Sequence, residues 1–132
     1  MISLEMIGYF SDEKDSQKYP SPLFKIIYPN KGDFIAVIGK FGQWEIVKNI
    51  KKSFLENSSI STWSINAPSL LPGIDFSDHL NYWNRGYDAV MVTDTSFYRN
   101  LNYHTKNDTI VTLDFEKMKE VIKGVYFTII DF

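Results

Sequence analysis

The stretch Phe34–Leu55, FIAVIGKFGQWEIVKNIKKSFL, decides the fold class. Its first part, Phe34–Gly39, is a continuous apolar run of strand length bounded by glycine. That pattern suits a strand buried on both faces, not the half-solvated strand of a meander. Its second part, Gln43–Leu55, changes period: Trp44, Val47, Ile50 and Phe54 fall on one stripe of a helix, with Glu45, Lys48, Lys51 and Lys52 mostly elsewhere. Lys51 and Lys52 near its end suit the helix dipole. A doubly buried strand followed at once by an amphipathic helix is the unit from which α/β sheets are built.

Reading outward, the pattern continues on both sides. Toward the N-terminus, Lys31-Gly32-Asp33 is a turn and Phe24–Tyr28 reads as a short extended piece. Phe10–Pro29 is a long connection rich in loop formers, with Pro20 and Pro22. Met1–Tyr9 reads as a strand with Glu5 in its middle. Toward the C-terminus, Ile60–Ile65 alternates like a strand and Ala67–Asp75 is loop. Asp78–Arg85 is a short helix with Ser77 as its N-cap and Gly86 as its stop. Tyr87–Thr93 is a strand and Asp94–Thr109 a long polar loop. Asp114 caps a last helix that carries Phe115, Met118, Val121, Ile122 and Val125 on one face, its far end weakened by Gly124. Strands alternating with helices predict an α/β mixed sheet flanked by helices.

Composition narrows the function classes. The 132 residues suit one domain, 1–132. They carry 14 Lys+Arg against 16 Asp+Glu, and this balance argues against nucleic acid or an anionic membrane as partner, since both require a basic surface. The absence of Cys removes disulfides, thiolate metal sites and Cys nucleophiles. The start MISLEMIGYF has no basic region and does not read as a signal peptide. Localisation stays open: cytoplasmic as the chain stands, and compatible with an exported parent.

Function in α/β sheets gathers at strand ends and the loops after them. Three such places hold chemistry-bearing side chains: Glu5, Ser77-Asp78-His79, and the loop from Asp94 through Tyr98-Arg99, Tyr103-His104 and Asp108. Imidazole and carboxylate together can hold a metal or move a proton. Taken alone, a loop His is usually exposed, an Asp before a helix usually serves its N-terminus and a Tyr more often packs or caps, and there is no H-E-x-x-H, Gly-rich phosphate loop or G-x-S-x-G.

Four segments in order carry a resemblance: LEMIGYFSDE at Leu4–Glu13, YPNKGDFIAVIGK at Tyr28–Lys40, PGIDFSDHLNYWNRGYDAVMVTDTSFYRN at Pro72–Asn100 and YHTKNDTIVTLDFEKM at Tyr103–Met118. Together they resemble the C-terminal half of the dinuclear zinc aminopeptidases, the leucyl aminopeptidase and aminopeptidase Y type, of which glutaminyl cyclase is a relative. The resemblance implies a partial zinc-exopeptidase (phosphorylase/hydrolase-like) fold. It also implies a metallopeptidase parent that removes N-terminal residues from a peptide substrate. It makes Glu5 a ligand of one zinc and His104 a ligand of the other. Asp78 becomes a carboxylate near the metals, and Tyr98 a contact to the transition state. Asp94, Asp108 and His79 are assigned to ordering loops.

The same resemblance implies an incomplete site. The family's His-x-Asp segment, bridging Asp and Glu-Glu pair belong to its N-terminal half, and four residues precede Glu5. With one protein ligand per ion and no general base, the chain alone is expected to be no competent peptidase. A missing N-terminal half, or self-association through exposed strand surface, is the expected partner. A non-catalytic binding or assembly module that keeps the fold is the alternative.

Overall fold

A computed structural model describes residues 1–68 and 70–131. Ser69, inside the loop expected over Ala67–Asp75, lies outside them, as does Phe132. The elements in chain order are β1 (Ile2–Leu4), α1 (Phe24–Ile27), β2 (Phe34–Lys40), α2 (Trp44–Asn57), β3 (Ser61–Ala67), α3 (His79–Asn84), β4 (Val90–Thr93) and α4 (Phe115–Ile130), with 3-10 turns at Ser96–Tyr98 and Ile110–Thr112. The strands form one mixed sheet in the order β1-β4-β2-β3. β1 pairs parallel with β4 and β2 parallel with β3, while β2 and β4 run antiparallel. The fold is therefore the expected α/β mixed sheet flanked by helices.

β2 explains why both faces must be covered. Its residues Phe34 through Gly39 are all buried, alternating between two cores. Ile35 and Val37 join Val90 and Val92 against α2 and α4, through Ile50, Phe54, Val121 and Val125. Phe34, Ala36 and Ile38 join Met91 on the opposite face, under Ile74 and Trp83. The two long helices lie together on the first face. Gly124 of α4 is the point of closest approach, where a Cβ would run into the Phe54 ring of α2. Gly124 therefore marks a helix crossing and not a weak end, and α4 continues to Ile130. Asp114 caps it as expected, its carboxylate accepting from the Lys117 amide.

Several local expectations are corrected. Met1–Tyr9 is strand only over Ile2–Leu4: Met6 takes φ 55, a left-handed conformation that breaks extension, so Glu5 follows the strand and is not in its middle. Phe24–Tyr28 is not extended: Phe24–Ile27 is a turn of helix that stacks Phe24 against Tyr19 and Tyr28. Ser77 makes no cap bond, because its hydroxyl pairs with the Ser3 hydroxyl at 2.6 Å. Trp44 leaves the buried stripe of α2 and is about half exposed, edge-on to Phe41. On α4 the buried face is Val121, Gly124, Val125 and Thr128, while Phe115 and Ile122 point outward.

Candidate functional site

Because β1 and β4 run parallel, their carboxyl ends lie side by side, and the segments that follow them are laced together. Asp94, the first residue after β4, is fully buried. One of its carboxylate oxygens accepts from the amides of Gly8 and Tyr9 at 3.1 and 2.8 Å, and the other from Ser96 at 2.9 Å. Its own amide donates to the Met6 carbonyl. Burial raises its pKa, against the pull of those amides and of Arg99. Asp94 thus orders its loops, as the sequence suggested, and does so from the interior.

Arg99 completes the tie from the other side. Its guanidinium is buried and donates to the carbonyls of Tyr9 and Phe34 and to the Gln17 side chain, at 3.0–3.1 Å. It also lies over the Phe34 ring, 4.7 Å from its centroid. Burial lowers its pKa to about 10, so it stays charged at neutral pH. Gln17 passes the link on to the Thr95 hydroxyl. The expected polar loop after Asp94 is therefore partly interior: Asp94, Ser96, Arg99 and Asn100 are all buried.

These ties hold backbone in conformations that side chains disfavour. Met6, Thr95, Ser96 and His104 all have φ between 53° and 73°. Left-handed non-glycine residues cost free energy and persist where surrounding contacts over-determine them, commonly at functional sites. Thr95 and Ser96 line one cleft on the sheet face away from α2 and α4, and Met6 and His104 directly follow two of its wall residues, Glu5 and Tyr103. The cleft encloses about 110 Å³, and its walls include Glu5, Phe34, Trp63, Phe76, Tyr98 and Tyr103. Its lining is overwhelmingly apolar, so the Glu5 carboxylate is a rare charge on its wall.

Glu5 and Tyr98 share this cleft. Tyr98 donates its hydroxyl to the Pro72 carbonyl at 3.3 Å and packs against Phe97, and burial raises its pKa. His104 is exposed and does not line the cleft. Its ring stacks on Tyr103, with centroids 3.9 Å apart, and Tyr103 does line it. Asp108 accepts from Asn100 at 2.9 Å, which fits a loop-ordering role. Asp78 is exposed, stands at the N-cap position of α3 without a side-chain bond, and is not on the cleft wall.

His79, the first residue of α3, is buried. Its Nε2 bonds the Ile74 carbonyl at 2.7 Å and its ring meets Trp83 edge-on, leaving Nδ1 without a partner. Burial lowers its pKa despite the nearby carboxylates of Asp75, Asp78 and Glu5. Sequence reasoning placed Arg99, one of two arginines in the chain, among the chemistry-bearing residues without a role, and missed Gln17 and Trp63. Those two carried no comparable signal.

Among the described residues no group of three or more His, Cys, Asp or Glu side chains is placed to hold a metal ion. The residues of this chain therefore do not by themselves fit a resident zinc pair.

The fold resembles part of an aminopeptidase fold. Over 96% of its length the chain superposes on the crystal structure of the LapA aminopeptidase of Legionella pneumophila with a TM-score of 0.59, at 15% sequence identity, and it accounts for 29% of that chain. In sequence it is similar to the uncharacterized protein YfbL of Escherichia coli (strain K12), with 48% identity over 125 residues, or 95% of this chain. The chain spans 39% of the length of that curated relative. No protein-family profile matches it.

Proposed function

We propose that this chain is the C-terminal portion of a zinc-dependent aminopeptidase-like hydrolase and that it is not catalytically competent alone. The observation that carries the reading is the convergence of Glu5, Tyr98 and the Tyr103-His104 pair on one end of the sheet, around an apolar cleft bordered by left-handed backbone. In this reading Glu5 and His104 each supply one ligand to a zinc pair whose other ligands and general base come from elsewhere in the protein. Tyr98 contacts the carbonyl of the peptide substrate, and the cleft receives apolar substrate surface. Asp78, exposed and unbonded here, would act only by orienting a ligand once the rest of the site is present.

The test is hydrolysis of leucyl-p-nitroanilide in zinc-containing buffer. This chain alone should give no turnover above the blank. The intact E. coli relative should give turnover, and should lose it when the residue aligned with His104 is replaced by Ala. Robust turnover by this chain alone, abolished by His104→Ala, would overturn the claim of incompetence.

A second reading, a non-catalytic binding or assembly module, is favoured by the lack of a ligand cluster among the described residues. An intact relative that binds zinc yet hydrolyses no aminoacyl substrate would select it.

A further inference from the structure

β3 is an edge strand, with β2 its one neighbour in the sheet. The Phe41 amide, just past β2, donates to the Ala67 carbonyl, so Ala67 turns toward β2, and alternation turns the main-chain groups of Ser64 and Asn66 to the open side. The Ser64 carbonyl accepts from the Tyr28 hydroxyl there, at 3.0 Å. Beside this edge α2 leaves a groove of about 760 Å³. Tyr28, Ser64, Ile65 and Asn66 line it from the strand side. α2 lines it with Trp44, Lys48, Lys51 and Leu55, four residues at i, i+4, i+7 and i+11 that form one stripe along the helix.

The stripe mixes two kinds of side chain. Trp44 and Leu55 stand at its ends, 51% and 59% exposed. The lysines stand between. Lys48 and Lys51 form no ion pair among the described residues, and Lys51 sits over the Trp63 ring, 5.7 Å from its centroid. Lys52 also lines the groove and pairs with Glu56 at 3.7 Å, an exposed contact that holds either charge weakly. A chain of net charge -2 thus gathers three ammonium groups against one carboxylate on the described walls of one groove. Lysines placed only to keep a strand edge from pairing need no exposed tryptophan and leucine in line with them.

We propose that this groove binds an extended acidic segment of a partner protein. Apolar side chains at the ends of the segment settle on Trp44 and Leu55, and carboxylates between them pair with Lys48 and Lys51. Charge complementarity names the occupant, and geometry sets its length. Eleven helical steps separate Trp44 from Leu55, about 16 Å along the axis, which an extended chain spans in about five residues. Alternate side chains of such a segment fall on one side, as two carboxylates facing two lysines require. The main-chain groups of Asn66 at the open edge offer a peptide hydrogen bonds that a lipid surface could not use, and a concave wall suits a chain segment over a flat membrane. α2 lies on the sheet face opposite the cleft beside Glu5, so the inference rests neither on zinc nor on turnover.

The test is fluorescence polarisation of a labelled peptide, Leu-Thr-Glu-Thr-Asp-Thr-Leu, titrated with this chain. It should bind with a Kd below about 1 mM, and the same peptide with Lys at both acidic positions should not. Raising NaCl from about 50 to about 300 mM should weaken binding at least about fivefold, since the ion pairs would be exposed. Lys48→Glu should weaken it about tenfold and Trp44→Ala about fivefold, with little change in the urea midpoint. Lys48→Glu is the deciding variant because that side chain is exposed, whereas Lys51→Glu also gives up the Trp63 contact. Lys123→Glu, which reverses an exposed lysine on α4, should leave binding unchanged. No saturable binding of the acidic peptide, equal binding of the basic one, or binding that Lys48→Glu leaves intact overturns the proposal. So does binding to vesicles of phosphatidylserine and phosphatidylcholine that Lys48→Glu abolishes, without binding of the peptide, because the occupant is then a membrane surface. A dimer in light scattering that Lys48→Glu dissociates overturns it as well, because a second copy then fills the groove.

Discussion

The two faces of the sheet are built from alternate residues of the same strands and reach different ends. On one face Ile35, Val37, Val90 and Val92 are sealed by α2 and α4 into one core. On the other, Phe34, Ala36, Ile38 and Met91 lie under short helices and connections, which bridge the surface but leave the cleft beside Glu5. A long helix repeats its contact every turn and can interdigitate along a strand pair. A connection has its backbone hydrogen bonds to satisfy first and covers apolar surface only where its side chains happen to fall. The helix face stabilises the molecule, and the loop face is free to hold a site.

Phe54→Ala should have the largest effect. The ring is fully buried and fills the α2–α4 crossing at Gly124, so its loss should cost about 3–5 kcal/mol, read as a shift of the urea midpoint at unchanged slope. A cost below that of the loop-face variants would break the comparison.

Arg99→Met should come next. It keeps most of the apolar stem but removes the guanidinium that lies over Phe34 and Phe10, and leaves the carbonyls of Tyr9 and Phe34 and the Gln17 oxygen without their charged donor, at a cost of about 2–3 kcal/mol. Arg99→Lys should recover little of it, since a lysine cannot present the fork that reaches three acceptors at once. The chain would sharpen the comparison by losing order at Tyr9 and Thr95 while α2 and α4 keep their exchange protection.

His79 should give the loop face a pH dependence of its own. Its folded pKa lies below the ordinary 6.5 because burial disfavours the imidazolium. The unfolded chain therefore takes up the proton first: stability is full above pH 6.5 and falls as pH drops from there toward the folded pKa. His79→Phe should remove that slope. It gives up the bond to the Ile74 carbonyl, at about 1 kcal/mol at pH 7, and keeps the contact with Trp83. Asp94 works in the opposite sense, its raised folded pKa favouring the native state as pH falls toward 3.8, so unfolding of the Asp94→Asn variant identifies its share.

Legibility in the sequence divides along the same line. Phe34–Gly39 and the stripe of Val47, Ile50 and Phe54 announced strand and helix because periodic burial is written in periodic residues. Asp114 announced its cap because capping is local. The shortening of β1 was not legible: Met6 turns left-handed because its carbonyl is held by the Asp94 amide, a contact 88 residues away in sequence. Nor was the burial of His79, Arg99 and Gln17, which depends on loops meeting across the sheet end. Glu5, Tyr98 and Tyr103-His104 could be singled out from the residues around them, and their approach to one cleft could not, because that needs β1 and β4 to be neighbours.

The smallest stability effect should come from the same chemical change as the largest. Phe97→Ala removes an aromatic ring of the same size as Phe54, but from a side chain 37% exposed at the cleft, where it touches Tyr98, Phe76 and Tyr103 at the ring edges and faces. Solvent already reaches the ring, and the neighbouring side chains can close over part of the gap, so the cost should be below about 1 kcal/mol. The cleft itself should respond more than the fold. With Phe97 gone, Tyr98 and Tyr103 lose their common neighbour, and an apolar fluorescent probe bound in the cleft should show a changed affinity while the urea midpoint barely moves. A Phe97→Ala cost close to that of Phe54→Ala would mean that the loop face is packed as tightly as the helix face, and the division of labour between them would fail.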